Sequence, residues 1–137
     1  MTLTPENFFR RWTIERNIFD ALTGQQVVFT GVADISDGTN HWLYRETGEL
    51  RMGTGPSMTA ERCYLWRAVE DGVDVYFEDG RFFHRMALAG AAKAAHWCDP
   101  DQYDVSYEFT DWPVWRATWS VRGPRKNYTM KSTYKPV

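Results

Sequence analysis

At 137 residues the chain fits one domain, residues 1–137, long enough to bury a single core and short for two. Its 16 Lys and Arg against 18 Asp and Glu leave a net charge of -2, scattered along the chain, so it carries no basic field for nucleic acid. Cys63 and Cys98 are too few for a disulfide framework, and no run approaches the roughly 20 apolar residues that span a bilayer. MTLTPENFFRRW lacks the apolar core of a secretion signal, so the expected setting is cytoplasmic, with no membrane partner.

In chain order, TPENFFRRW has the grammar of a short helix start, with Thr4 as cap, Pro5 at the first helical position and Glu6 in the first turn. From there the dominant period is two. WTIERNIF places Trp12, Ile14, Arg16 and Ile18 on one face, and QQVVFTGVADI does the same with Val27, Phe29, Gly31, Ala33 and Ile35. HWLYRE, VDVYFE and the last three stretches continue the pattern, punctuated by SDGTN, ETGE, EDG, DPDQ and RGPRKN. TAERCYLWRAVED and MALAGAAKAAHW contain good helix formers. Gly90 within the second would cost a helix about 1 kcal/mol while suiting a hairpin loop, so both read as strands. Nine or ten short strands with tight turns predict an all-β antiparallel barrel or sandwich, and closure into a barrel removes exposed sheet edges.

Charge orients the later strands. Arg81, Phe83 and Arg85 share one face of RFFHRMAL, which turns Phe82, His84, Met86 and Leu88 inward. Lys93, Ala95 and Trp97 likewise leave Ala94, His96 and Cys98 inside. A three-residue loop centred on Gly90 would pair His84 with His96 and Phe82 with Cys98, side-chain roots about 4.5 to 5.5 Å apart. A type I turn at DPDQ would pair Cys98 with Tyr103 and His96 with Val105, making Asp99 and Asp101 turn residues. Trp115, Ala117, Trp119 and Val121 should face Tyr128, Met130, Ser132 and Tyr134 inside, with Glu108 opposite Arg116 outside.

FFHRM, AHWCDPDQYDVSYEF and WSVRGPRKNYTMKSTYKP together resemble the uncharacterised, mainly bacterial family known as domain of unknown function 6314, over nearly the whole chain from FFRRWTIERNI onward. The shared pattern is an inward His strand, a His-x-Cys strand and a closing Gly-Pro-Arg/Lys-x-Tyr turn. The resemblance implies a calycin-like (lipocalin-like) β-barrel with a short N-terminal helix, and implies no activity. RRWTIER lacks the glycine that precedes the first-strand Trp of lipocalins, and the Gly-rich amino-terminal signature of nitrobindin-like haem barrels is missing. Lys126-Asn127-Tyr128 has the spacing of the Arg-x-Tyr pair with which lipid-binding proteins hold a carboxylate, with lysine substituted.

Composition adds one feature: 16% of residues are aromatic, including seven Trp and seven Tyr, as suits a packed core or a cavity wall. Arg16 on an inward face needs a partner or a ligand anion, and Glu46, on the parity of Trp42 and Tyr44, can supply the first. Either the two form a structural ion pair, or Arg16, Tyr64 and the histidines hold the polar end of a ligand. His84 and His96 read either as core histidines bonded to Tyr103, Tyr128 or backbone carbonyls, or as ligands. With Cys98 they could meet a transition metal, but His-x-Cys lacks the loop spacing of zinc motifs; single-histidine haem ligation is a further alternative. Cys98 as a nucleophile would need an aligned histidine.

The reading adopted is binding of a small, largely apolar molecule with an anionic or phenolic end, by Arg16, Glu46, Tyr64, His84, His96, Tyr103 and Tyr128. It requires no cofactor and no metal, and leaves a homodimer open. A cofactor-free lyase or isomerase using Arg16, Glu46, Tyr64 and His84 on a small aromatic or carboxylate substrate is the alternative. A filled barrel serving as an interaction module is the third.

Overall fold

The computed structural model describes residues 2–38, 40–89 and 92–137. Thr4 and Pro5 start a one-turn 3-10 helix, Pro5–Phe8, in which the Thr4 backbone N–H donates to Asn7 Oδ1 at 2.8 Å. Ten strands follow: β1 Arg11–Asp20, β2 Gln25–Asp37, β3 Trp42–Met52, β4 Ser57–Val69, β5 Gly72–Phe77, β6 Phe82–Ala87, β7 Lys93–Cys98, β8 Asp101–Glu108, β9 Trp115–Gly123 and β10 Lys126–Pro136. TAERCYLWRAVED falls in β4 up to Val69, and the described ends of MALAGAAKAAHW fall in β6 and β7, since alternation buries one face of each strand whereas isolated propensity buries nothing. Among the described residues no helix is long and apolar enough to cross a membrane.

The ten strands form one antiparallel sheet in the order β6-β5-β4-β3-β2-β1-β10-β9-β8-β7, which curls into a nearly closed barrel. The β1–β10 ladder, from Trp12↔Pro136 to Asp20↔Tyr128, joins two meanders. Alternation places the core: Trp12, Ile14 and Arg16 are buried from β1, Phe29, Ala33 and Ile35 from β2, and Tyr44 and Glu46 from β3. The β9–β10 register is as expected, with Trp115↔Tyr134, Ala117↔Ser132, Trp119↔Met130 and Val121↔Tyr128. Glu108 does oppose Arg116, although the guanidinium turns to Asp111 at 2.8 Å.

Three local expectations are corrected. First, β6 and β7 are the two sheet edges and share no ladder among their described residues, so neither His84–His96 nor Phe82–Cys98 is a strand pair. The centre of the expected loop, Gly90, lies outside the described residues. Second, β6 carries a bulge: Val75 pairs with His84 and Tyr76 with Phe82, so Phe83 is the extra residue. A bulge interrupts alternation, and consecutive Phe83 and His84 are both buried while Phe82 is 50% exposed, the reverse of the expected Phe82 and Phe83 faces. Third, β7 and β8 join by a tighter turn than the expected one. Cys98 pairs with Asp101 and His96 with Tyr103, two residues off in register, which preserves parity and so keeps Ala94, His96 and Cys98 on the inner face. Asp101 thereby becomes a strand residue with a function of its own, described below.

One end of the barrel is plugged. The Phe8 ring, fully buried, meets Trp112, Trp115, Phe109 and Trp66 with centroids 4.9, 5.2, 5.8 and 5.9 Å away. Trp12 Nε1–H donates to the Phe8 carbonyl at 3.1 Å, fixing the entering segment to β1. Trp12, Trp66, Trp112 and Trp115 gather at this plug, whereas Trp97 is 60% exposed on the outer face.

Two glycines let the sheet curl beside the polar floor. Gly31 and Gly48 are cross-strand partners whose backbones approach so closely that a methyl group on Gly48 would sit 2.7 Å from Gly31 Cα, against the Thr30 carbonyl and the Phe29 ring. Phe29 lies over the pair, and the Arg16 guanidinium stacks on it with Cζ 5.1 Å from the centroid. Gly48→Ala is expected to destabilise the protein by on the order of 1–3 kcal/mol in urea unfolding, because backbone atoms cannot swing aside. A change below about 0.5 kcal/mol, the scatter of neutral surface substitutions, would show that the strands part freely here.

Candidate functional site

Between the plug and the opposite rim the barrel encloses a cavity of about 460 Å³. Its floor is polar and internally satisfied. Arg16 and Glu46 form a two-pronged ion pair, Nη1 to Oε2 at 2.6 Å and Nη2 to Oε1 at 3.1 Å. Arg16 Nε–H donates to Ser132 Oγ at 2.6 Å, and Nη2–H reaches the Tyr134 hydroxyl at 3.3 Å. Tyr44 O–H donates to Glu46 Oε1 at 2.6 Å, and the Tyr44 and Tyr134 hydroxyl oxygens lie 2.9 Å apart. Burial alone would raise Glu46, but the hydrogen bonds and charge of Arg16, with Tyr44, hold its carboxyl below the usual carboxylate range. Burial drives the Tyr44 and Tyr134 phenols upward, so both remain neutral donors.

The walls are mostly rings. Phe83 stacks on Phe77 at 4.3 Å and on Trp119 at 5.1 Å, and Trp115 lies flat on Tyr134 at 3.8 Å. His84, 4% exposed, sits among them with Nε2 2.8 Å from the Tyr107 hydroxyl. Burial, and secondarily the neighbouring His96, lower its pKa to about 4, so the imidazole is neutral at pH 7. Its Nδ1 and the indole nitrogen of Trp115 are buried with no hydrogen-bond partner among the described residues.

The sequence-derived candidates separate into groups. Arg16, Glu46, Tyr64, His84, Tyr103 and Tyr128 all line the cavity. His96 does not; it packs half-buried against Phe83 and Phe77, centroids 5.3 and 5.9 Å away. The Phe83 ring also meets His84 at 4.6 Å, so the bulged phenylalanine touches both imidazoles. Among the described residues no three His, Cys, Asp or Glu side chains converge as a metal centre requires, and the expected tyrosine partners of His84 give way to Tyr107. Cys98 is half-buried beside Asp101 in register and does not line the cavity; the Cys63 thiol is pushed up by burial and by Glu78. Lys126 is engaged rather than poised for a ligand: Nζ is 3.1 Å from Asp101 Oδ2, and Gly123 leaves room for that carboxylate where a Cβ would collide with it.

One inward residue had escaped the sequence reading. Arg62 stands on β4 with the parity of Tyr64 and Trp66, opposite Glu46 in the β3–β4 register, and lines the cavity. Glu46 is already occupied by Arg16, and among the described residues Arg62 has no ion-pair partner. Its charge is favoured first by the adjacent Tyr64 and then by Glu46, against the opposing effect of burial. The same two-residue period that placed Arg16 and Tyr64 inside would have placed it.

A ten-stranded antiparallel barrel, plugged at one end and hollow within, is a calycin-like architecture. Its likeness to the structure of the S-type phycobiliprotein lyase CPES from Guillardia theta has a TM-score of 0.64 at 12% identity, covering 98% of this chain and 93% of that one, which is a likeness of fold. Residues 8–136 match the model of the family of unknown function DUF6314, and the chain belongs to that family. A search of curated protein sequences finds no match.

Proposed function

We propose that the barrel binds a small, largely apolar molecule with one anionic or phenolic end, the whole chain forming the binding unit. The observation that carries this reading is the aromatic-walled cavity of about 460 Å³, a size suited to a metabolite or chromophore and furnished with few polar groups. A barrel serving only as a filled interaction module has no use for such a space. The fold likeness to a phycobiliprotein lyase supports the same direction, since that protein too is a barrel named for work on another molecule. Native mass spectrometry of freshly purified protein should show an adduct that is shed on denaturation, or uptake of added apolar acids and phenols with quenching of tryptophan emission. A bare mass with unaltered emission across such a panel would overturn the reading.

A second reading, a cofactor-free lyase or isomerase, is favoured by one feature: His84 is neutral, hydrogen-bonded to Tyr107 and set in the cavity wall, as a proton-moving group would be. Incubation with a metabolite extract separates the two. A consumed compound and a matching product, lost in His84→Asn, would establish catalysis, whereas retention without conversion supports binding.

A further inference from the structure

We infer that the ligand is a flat, conjugated carboxylic acid whose carboxylate is held by Arg62, with its ring system between the aromatic walls; this rests on the binding reading above. The first support is electrostatic. The cations at and near the cavity differ in what surrounds them: buried Arg16 makes four hydrogen bonds to Glu46, Ser132 and Tyr134, exposed Lys126 pairs with Asp101, and Arg62 stands solvent-exposed at the cavity's open side. Arg62 alone among these three has no carboxylate within ion-pair distance among the described residues, yet it lines the cavity. The nearby rim acid Glu61 is taken by Arg45 at 2.7 Å, so the groups that bear favourably on the Arg62 charge are the Tyr64 phenol beside it and cross-strand Glu46, whose carboxylate is already bound by Arg16. A guanidinium presents parallel N–H donors that match the two oxygens of a carboxylate, whereas a phenol offers one oxygen and a weaker acceptor.

The second support is the shape of what lies beyond Arg62. Tyr64 follows it on the same inward face of β4 and stacks on Phe83, centroids 5.8 Å apart and planes at 28°. Phe83 in turn lies nearly parallel to both Phe77, at 20°, and Trp119, at 21°. Half-buried Phe77 and Trp119 thus line the cavity with planes close to that of the covered Phe83, and aligned rings suit a planar π-system better than a folded alkyl chain, because offset stacking adds to area burial. The Arg16 charge is already matched by Glu46, and the unpartnered Trp115 indole N–H is a neutral donor, weaker toward an anion than a guanidinium, so the acid end goes to Arg62 and the rings fill the rest.

The test uses biphenyl-4-carboxylic acid, its neutral isostere biphenyl-4-carboxamide and saturated decanoic acid, titrated against tryptophan emission and by calorimetry. The natural protein should bind the acid at least tenfold more tightly than the amide, the range of a charge-assisted hydrogen-bond pair, and more tightly than decanoate. Arg62→Gln should collapse the acid-to-amide ratio to within twofold, Arg62→Lys should restore part of it, and Arg67→Gln, on the outer face of the same strand, should leave it unchanged. Equal binding of acid and amide, or an acid preference that survives Arg62→Gln in a folded protein, would overturn the assignment while leaving ligand binding intact. Tighter binding of decanoate would overturn the planar body. Failure of all three compounds to bind overturns this inference, while the binding reading itself stands or falls on the adduct and panel measurements above.

Discussion

Arg16→Met is expected to lower the unfolding free energy by about 3–5 kcal/mol, the largest single effect of any substitution in the cavity floor. The loss comes less from the attraction removed than from what is left behind. Glu46 is 4% exposed, and without Arg16 it keeps only the Tyr44 hydroxyl and the charge of cross-strand Arg62, with which it forms no ion pair, as favourable neighbours. A carboxylate so placed takes up a proton, and the Arg16→Met protein should lose stability with rising pH relative to the natural one. The decisive comparison is the double variant Arg16→Met/Glu46→Leu. Replacing both charges with apolar groups of similar volume removes the desolvation cost along with the pairing, so the double variant should recover most of the loss. Urea unfolding followed by tryptophan emission measures Arg16→Met, Glu46→Leu and the double variant against the natural protein. If the single variants cost under about 1 kcal/mol, or if the double variant costs their sum, the pair is not the self-contained floor described.

The second large effect is acid lability at unusually mild pH. His84 titrates at about 4 in the folded protein, depressed chiefly by burial, against an ordinary value of 6.5. Below pH 6.5 the unfolded chain takes up a proton that the folded one refuses. Stability is therefore complete above that value and declines as pH falls toward 4, where the folded imidazole finally protonates. The difference corresponds to on the order of 3 kcal/mol across the window. Glu46, whose folded carboxyl is held below its ordinary 4.5, acts in the same sense but only further into acid. A melting-temperature profile from pH 7 to pH 4 should thus slope downward throughout, and His84→Gln should flatten the stretch above pH 5. An unaltered slope in His84→Gln would mean that another group carries the acid response. Arg11→Ala, which breaks only the exposed Arg11–Asp34 pair at 2.8 Å on the outer face, should leave that slope as it is.

Much of this architecture was legible in residue order. Thr4-Pro5 marked the helix start, and the parity of Trp12, Ile14 and Arg16 placed a charge indoors and named Glu46 as its partner before any contact was visible. Tyr64 was assigned inward on the same basis, and Arg62 was legible by that rule and overlooked. His84 and His96 were rightly placed on inner faces, but the pairing drawn between them assumed that consecutive strands share a ladder. Phe83 was misplaced because a bulge adds one residue to one strand, and parity read from a single strand contains no record of its partner's count. Asp101 looked like turn chemistry because its role depends on Lys126, 25 positions away, and on the space above Gly123.

What the chain's order determined by itself was therefore the class of fold and the inner or outer face of most side chains. Alternation is a property of the extended backbone and needs no knowledge of neighbours. Only the tertiary structure decided which interior groups satisfy one another. The seam between β6 and β7, the bulge that brings Phe83 in beside His84, and the saturation of Arg16 that leaves Arg62 open all depend on how ten strands close around a common space. Closure sets distances between residues far apart in sequence, and a charge is spoken for or available according to those distances.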